Sequence, residues 1–377
     1  MHRLYGLVLL LHAYVGWRLL PDLPHAAWVA AFALILAVMA GSMTLAVFMR
    51  RKQQQRLSDA VAWAGFLAMG ALSSLFVLTL ARDVGLLALS AVDLFLPLGA
   101  MLQRVHIWSA AAVPAIAGVL TIAGFINARR RARVRSVDIP IARLPPGLHG
   151  FSIVQISDIH IGPTIKRGYV EAIVDAVNAL DPDMIAVTGD LVDGSVKQLS
   201  PHTQPLSRLA SRHGTFFVTG NHEYYSGADA WVAEMRRIGL RVLMNEHDVL
   251  EHRGEAIVVA GVTDYGAHHF DPTQKSDPAA AIAGAPPAAA VRLLLAHQPR
   301  SAFAAAPAGF DLQLSGHTHG GQFLPWIFLV RLQQPFIAGL DRLKNLWVYT
   351  SRGTGYWGPP MRLGAPSEIT HLRLVPA

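Results

Sequence analysis

Five short stretches carry side chains that can hold a metal ion or move a proton. They are Ser157-Asp158-Ile159-His160, Gly189-Asp190-Leu191-Val192-Asp193, Gly220-Asn221-His222-Glu223, His297-Gln298-Pro299 and Gly316-His317-Thr318-His319-Gly320-Gly321-Gln322. Carboxylate and amide oxygens mixed with imidazoles suit Mn, Fe, Zn or Co better than Ca or Mg. Two such ions about 3.5–4 Å apart can clamp both oxygens of an in-line displacement. They also lower the pKa of a shared water, so that hydroxide forms near neutral pH, and they neutralise charge building on a phosphate. Taken singly the stretches say little, because an isolated Asp-x-His arises by chance and a buried His is usually hydrogen-bonded core. The ordered set of five carries the argument. The chain has no cysteine, which excludes disulfides, zinc-thiolate sites and thiol nucleophiles.

Residues so far apart in sequence can meet only if the fold delivers them to one edge. Short β-type runs do so: Phe151–Ile156, Met184–Thr188, Thr215–Thr219, Val291–Ala296 and Leu312–Ser315 each end where one of the stretches begins. Further runs are Ile257–Gly261, Trp347–Thr350 and Ile369–Leu374, and helical patterns fill Tyr169–Leu180 and Asp229–Ile238. This alternation is that of an α/β layered fold. Ligands in such folds gather beyond the carboxyl ends of strands. Glycine before Asp190, Asn221 and His317 lets the chain turn sharply and approach an ion closely. Ala279–Ala290 reads as an Ala/Pro-rich surface excursion.

The first third is of another kind. The chain is 52% hydrophobic and only 15% charged, and its mean hydropathy of +0.35 is too high for an ordinary soluble enzyme of this length. The net charge of +7 divides into +9 over residues 1–135 and −2 over the rest. A spanning helix needs about 20 mostly apolar residues. Ala26–Met49, Val61–Ala81 and Ile107–Ile126 meet that need. Leu4–Leu20 carries His12 and Arg18, and Val84–Leu102 carries Asp93 near its middle. Arg50, Arg51, Lys52 and Arg56 follow the second span, and Arg129, Arg130, Arg131, Arg133 and Arg135 follow the last. The positive-inside rule puts both clusters in the cytoplasm. Four spans achieve that, with Val84–Leu102 interfacial or packed on the bundle; five would export everything after residue 135. The organisation expected is a transmembrane helical region over 1–128, a basic, proline-containing linker over 129–146 and an α/β domain over 147–377. The localisation expected is a cell (inner) membrane, multi-pass, with the catalytic domain on the cytoplasmic side. The basic surplus belongs to the membrane region, so no nucleic-acid partner is expected.

The order D-x-H, G-D-x-x-D, G-N-H-E, H, G-H-T-H resembles the calcineurin-like metallophosphoesterase superfamily. Gly220–Tyr225, Gly316–Gln322 and Thr350–Gly355 resemble its YkuE-type membrane-associated bacterial branch. The resemblance covers residues 135–377. It implies an α/β/β/α sandwich and a dinuclear centre of two divalent metal ions. One ion would be held by Asp158, His160, Asp190 and His319, the second by Asp190, Asn221, His297 and His317, with Asp190 bridging. It implies hydrolysis of phosphoesters by a metal-bridging hydroxide, and His222 as the general acid that protonates the leaving oxygen. Two rival readings are a pyrophosphate hydrolase of the UDP-2,3-diacylglucosamine type and an inactive membrane sensor or scaffold; the intact ligand set speaks against the second.

Other residues stay open on sequence alone. Asp193 is a partner orienting a ligand imidazole or a turn residue before Gly194; Glu223 bonds a ligand or faces solvent. Arg352 is a candidate substrate-binding residue or an ordinary turn arginine, and His268 and His269 default to the surface. Phe323–Val330, with Tyr356, Trp357 and Pro359, is an apolar run at the expected rim of the site. Its two readings are a core element, or a rim that dips into the lipid bilayer and admits lipid-linked phosphoesters.

Overall fold

A computed structural model describes residues 2–49 and 55–377. Arg50, Arg51 and Lys52 of the first basic cluster lie outside the described residues. The chain forms two compact units: residues 1–129 with 358–363, and residues 130–357 with 364–377.

The first unit is helical: α1 (His2–Leu19), α2 (Ala26–Met49), α3 (Gln55–Asp93) and α4 (Ala100–Arg129). Among the described residues, three segments are long and apolar enough to cross a membrane, Ala26–Ala46, Leu57–Asp93 and Ala100–Arg129. Val15, Phe32, Leu36, Leu72, Leu75 and Val113 pack between the helices, while residues such as Leu34, Val38, Leu87 and Val119 point outward. An apolar outside is what a lipid solvent calls for. Val84–Leu102 is not a separate segment. α3 runs unbroken through Arg82 and Asp83 to Asp93, and α4 starts at Ala100. The two charges do not break the helix because both are paired inside the bundle. Arg82 bonds Asp22, Ser109 Oγ at 2.8 Å and the Arg18 carbonyl at 3.0 Å. Asp83 accepts from Tyr14 at 2.7 Å and Arg18 at 2.9 Å. At 1.5 Å rise per residue, the 37 residues of Leu57–Asp93 extend about 55 Å, beyond the roughly 30 Å hydrocarbon core of a bilayer.

The second unit contains, in order, β1 (Arg133–Ile141), β2 (Ser152–Ile156), α5 (Arg167–Asn178), β3 (Met184–Val187), α6 (Val196–Thr203), β4 (Thr215–Phe217), α7 (Asn221–Ser226), α8 (Ala228–Arg237), β5 (Arg241–Val242), β6 (Glu246–His252), β7 (Glu255–Gly261), α9 (Pro278–Ile282), β8 (Val291–Leu295), α10 (Ala302–Ala308), β9 (Leu312–Ser315), α11 (Trp326–Leu329), β10 (Gly339–Leu343), β11 (Leu346–Thr350) and β12 (Glu368–Pro376). They build two mixed six-stranded sheets, ordered β1-β12-β2-β3-β4-β5 and β10-β11-β9-β8-β7-β6. The sheets share one core. Ile153, Met184, Ala186 and Phe216 of the first meet Ile257, Val259, Leu293, Leu314 and Tyr349 of the second. The outer face of the second sheet packs Ala260, Leu294 and Val348 against Ala281 of α9 and Ala302 and Ala305 of α10. α5 buries Val170, Ile173, Val174 and Val177, spaced as one helix face.

The stretch expected as linker holds a strand. β1 pairs in parallel with β12 from Arg133↔Glu368 to Ile141↔Pro376, burying Ile139 and Ile141. Pro140 is tolerated because β1 is an edge strand, where a missing N–H leaves no ladder bond unmade on the open side. Likewise the Ala/Pro-rich excursion is partly structural: α9 lies in it, and Ala281 is fully buried.

Candidate metal centre

β2, β3 and β4 run parallel to one another in the first sheet, and β8 and β9 in the second. The loops leaving their carboxyl ends therefore meet at one edge of the unit. Asp158 and His160 follow β2, Asp190 and Asp193 follow β3, and Asn221 and His222 follow β4. His297 follows β8, and His317 and His319 follow β9. The backbone bends hard to present them: Asp158, His160, Asp190, His317 and His319 all have positive φ, between 51° and 70°. Non-glycine residues there carry strain of about 1–3 kcal/mol each, which persists only where the surroundings enforce it. Glycines make room. A Cβ on Gly220 would stand 2.6 Å from the Asp190 nitrogen, and one on Gly316 would collide with the Asp158 carboxylate.

The donor atoms fall into adjoining groups. Asp158, His160 and His319 form one and Asp190, His297 and His317 another, each with its donor atoms within 4.8 Å of one another. His160 Nε2 lies 3.0 Å from His319 Nε2, and His319 Nε2 lies 3.5 Å from Asp158 Oδ1. His317 Nδ1 lies 3.2 Å from His297 Nε2. Asp190 Oδ2 faces both groups, 3.1 Å from His297 Nε2 and 3.9 Å from His160 Nε2. All but His317 of these six are buried, with Asp158 and His297 at 0% and 1% exposure.

This set fits divalent cations. His297 Nδ1 donates to the Thr188 carbonyl at 2.8 Å, and His160 Nδ1 contacts Asp193 Oδ1 at 3.2 Å. Those partners fix the tautomers with the Nε2 lone pairs aimed into the site, against carboxylate oxygens and other imidazoles. Asn221 Oδ1 is buried there with no hydrogen-bond partner. Imidazole lone pairs, carboxylate oxygens and an unpaired amide oxygen converging in a buried space call for a cation.

Without a cation the protein groups polarise one another. Burial works against the Asp190 charge, but His297 and His222 hold its pKa well below the usual carboxylate range. His297 is raised well above the ordinary imidazole value, where Asp190 outweighs burial. His317 drops to about 3, through burial and the neighbouring His297. Burial disfavours charged His222, yet Asp190 and Asp193 lift it to about 9.

All seven expected metal residues stand at this edge, and His222 stands beside them, its ring 4.6 Å from that of His160. Asp193 proves to be a shared partner: Oδ1 contacts His160 Nδ1 and, at 2.5 Å, His222 Nδ1. Glu223 neither bonds a side chain of the site nor faces solvent. It is buried and accepts three backbone N–H groups, from Asp190 at 2.9 Å, Leu191 at 2.7 Å and Gly220 at 2.7 Å. It thus ties the β3 loop to the α7 turn. Arg352 is paired with Glu368 at 2.9 Å. The apolar run splits: Phe323 is buried, while Leu324, Trp326, Phe328 and Leu329 are exposed around the short α11. Trp357 is exposed and Tyr356 buried.

Two mixed α/β sheets with this His/Asp/Asn edge define a metallophosphoesterase fold. The calcineurin-like phosphoesterase family model matches residues 151–321. A Campylobacter jejuni protein named an uncharacterised metallophosphoesterase is 34% identical over 333 residues, covering 87% of this chain and 86% of that one. The chain belongs to the calcineurin-like phosphoesterase family. A zebrafish (Danio rerio) protein named a transmembrane protein with metallophosphoesterase domain is 38% identical over 267 residues, 69% of this chain and 61% of that one. The chain therefore spans about three fifths of that relative's length. The Bacillus subtilis metallophosphoesterase YkuE is 29% identical over 271 residues, 67% of this chain and 91% of that one. The apolar helices and the transmembrane relative together support membrane association.

Proposed function

We propose that the protein is a membrane-embedded phosphoesterase with a dinuclear metal centre. Asp158, His160, Asp190 and His319 would hold one divalent ion and Asp190, Asn221, His297 and His317 the other. The observation that carries this is the pair of buried donor groups faced by a single Asp190 oxygen. When bound, the ions would supply charge neutralisation for the phosphate and acidify a water. The remaining work falls to the chain. His222, its Nδ1 held by Asp193 at 2.5 Å, would give a proton to the leaving oxygen. Asp193 holds the His222 ring through Nδ1 while fixing the His160 tautomer. Glu223 keeps the Asp190 and Asn221 loops in register.

The substrate proposed is a lipid-linked phosphoester. Its support is the exposed Leu324, Trp326, Phe328 and Leu329 in a chain that also carries membrane-type helices. The five arginines between 129 and 135 support a multi-pass topology in the inner membrane with the catalytic domain cytoplasmic.

The test is His222→Ala with phosphoesters of graded leaving groups. The variant should keep its metals and lose about 10²–10⁴-fold in turnover of alkyl esters, with much smaller loss on nitrophenyl esters. Equal loss on both would remove His222 from the proton-donor role.

A further inference from the structure

His222 is framed by aromatic rings that no step above uses. The Tyr225 ring lies 5.1 Å from the His222 ring and the Trp357 ring 6.2 Å from it, both edge-on. Phe270 extends the row, 5.6 Å from Tyr225 and 5.7 Å from Tyr224. These side chains are large and apolar, yet Tyr225 is 64% exposed, Phe270 53% and Trp357 46%. Folding alone leaves about half or more of each side chain in solvent.

Their placement is built. The Gln322 side-chain amide pairs with both backbone groups of Trp357: Oε1 accepts the Trp357 N–H at 2.9 Å, and Nε2 donates to its carbonyl at 2.9 Å. Gln322 is itself buried, at 5% exposure, with a positive φ of 51°. It stands three residues after His319, so the loop that carries a metal residue also sets the tryptophan. Tyr225 lies on α7, the same short helix as His222, and moves with it.

We infer that Tyr225, Trp357 and Phe270 form a cradle for an apolar chain on the leaving alcohol. This rests on the reading of His222 as proton donor and adds an orientation to it. The oxygen that receives the His222 proton must sit at that ring, so the group attached to this oxygen lies against the aromatic row. Water adds to phosphorus, the bond from phosphorus to the ester oxygen breaks, and the His222 proton goes to that oxygen. A phosphate and a neutral long-chain alcohol result. The lipid therefore leaves with the alcohol and is not retained on the phosphate. An aliphatic chain is favoured over a nucleobase because the segment after Gln322, which holds Trp357, exposes Leu324, Trp326, Phe328 and Leu329, and because the chain carries membrane-type helices.

The experiment uses the full-length protein in detergent, with manganese, on butyl, octyl and dodecyl phosphate and on uridine 5′-phosphate. Butyl-, octyl- and dodecylphosphonate, whose carbon–phosphorus bond resists hydrolysis, give a binding readout without turnover. Each methylene the cradle buries should strengthen binding about fourfold. The wild type should favour dodecyl over butyl phosphate at least tenfold in kcat/KM. Trp357→Ala and Tyr225→Ser should flatten that preference and weaken dodecylphosphonate binding about tenfold. Phe270→Ala, one ring further from His222, should give a smaller shift in the same direction. An unchanged chain-length preference in all three variants would overturn the cradle while the phosphoesterase reading stands. So would a wild type that prefers uridine 5′-phosphate and loses that preference in the variants. A wild type that hydrolyses none of the esters, nitrophenyl phosphate included, would overturn the phosphoesterase reading itself.

Discussion

Gly220→Ala adds one methyl group at the tightest point of the site. The glycine has an extended φ of −101°, so alanine meets no backbone strain there. The cost is purely steric. The new Cβ would lie 2.6 Å from the Asp190 nitrogen and 2.9 Å from its Cγ, and closer still to Oδ1, whereas real Cβ atoms essentially never come within 3.0 Å. Neither neighbour is the free end of a flexible side chain. The Asp190 nitrogen is bonded to Glu223, and Oδ1 accepts the His222 N–H at 2.8 Å. The Asp190 backbone must retreat by about 0.4 Å and its carboxylate by more, so the one carboxylate facing both donor groups leaves its position. Overpacking of this kind costs about 1–3 kcal/mol of stability. Misplacing a reacting geometry by about 1 Å costs on the order of 10²-fold in rate. The assay is manganese-stimulated hydrolysis of nitrophenyl phosphate beside thermal unfolding. Gly168→Ala serves as control, since its Cβ would meet nothing within 4 Å in α5 and should stabilise slightly. A folded Gly220→Ala protein within threefold of wild-type turnover would refute the claim that Asp190 placement controls the chemistry.

Other substitutions separate the remaining roles. Asp193→Asn removes the carboxylate shared by His160 and His222; metal affinity should fall about 10–100-fold, and alkyl ester turnover should fall further than nitrophenyl turnover, read by metal titration and steady-state kinetics. Polar replacement of Trp326 and Phe328 should lower turnover of lipid-linked substrates and leave a soluble aryl phosphate untouched; equal loss on both would remove α11 from lipid contact. A reporter fused after Arg135 should behave as cytoplasmic, and an external reading would invert the topology proposed here.

The candidate site was legible in the sequence because its ligand-type residues stand just after β-type runs, and parallel strands bring such positions to one edge. Asp190 and His297 needed no knowledge of their neighbours to be singled out. Asp193 and Glu223 did. Their roles depend on which atoms face them across loops from other strands, and an acidic residue in a turn looks the same whether it clamps backbone amides or faces water. β1 was hidden by Pro140 and its arginines, since an edge strand bonded to one neighbour tolerates both. α3 read as two segments because Arg82 and Asp83 interrupt its apolar run, and only the bundle shows that each is paired with charges or carbonyls from α1 and the turn after it. The aromatic row at His222 is assembled from residues 225, 270 and 357, too far apart for any local pattern to join them.

The central claim is that this edge binds two divalent ions through a shared Asp190 and uses them on phosphoesters. Its most direct measurement is the metal content of the purified full-length protein, wild type against Asp190→Ala, taken on the same samples as hydrolysis of nitrophenyl phosphate. The wild type should hold about two transition-metal ions per chain, and the variant should lose both the metals and the activity. A wild type that binds no transition metal, or an Asp190→Ala protein that remains active, would contradict it.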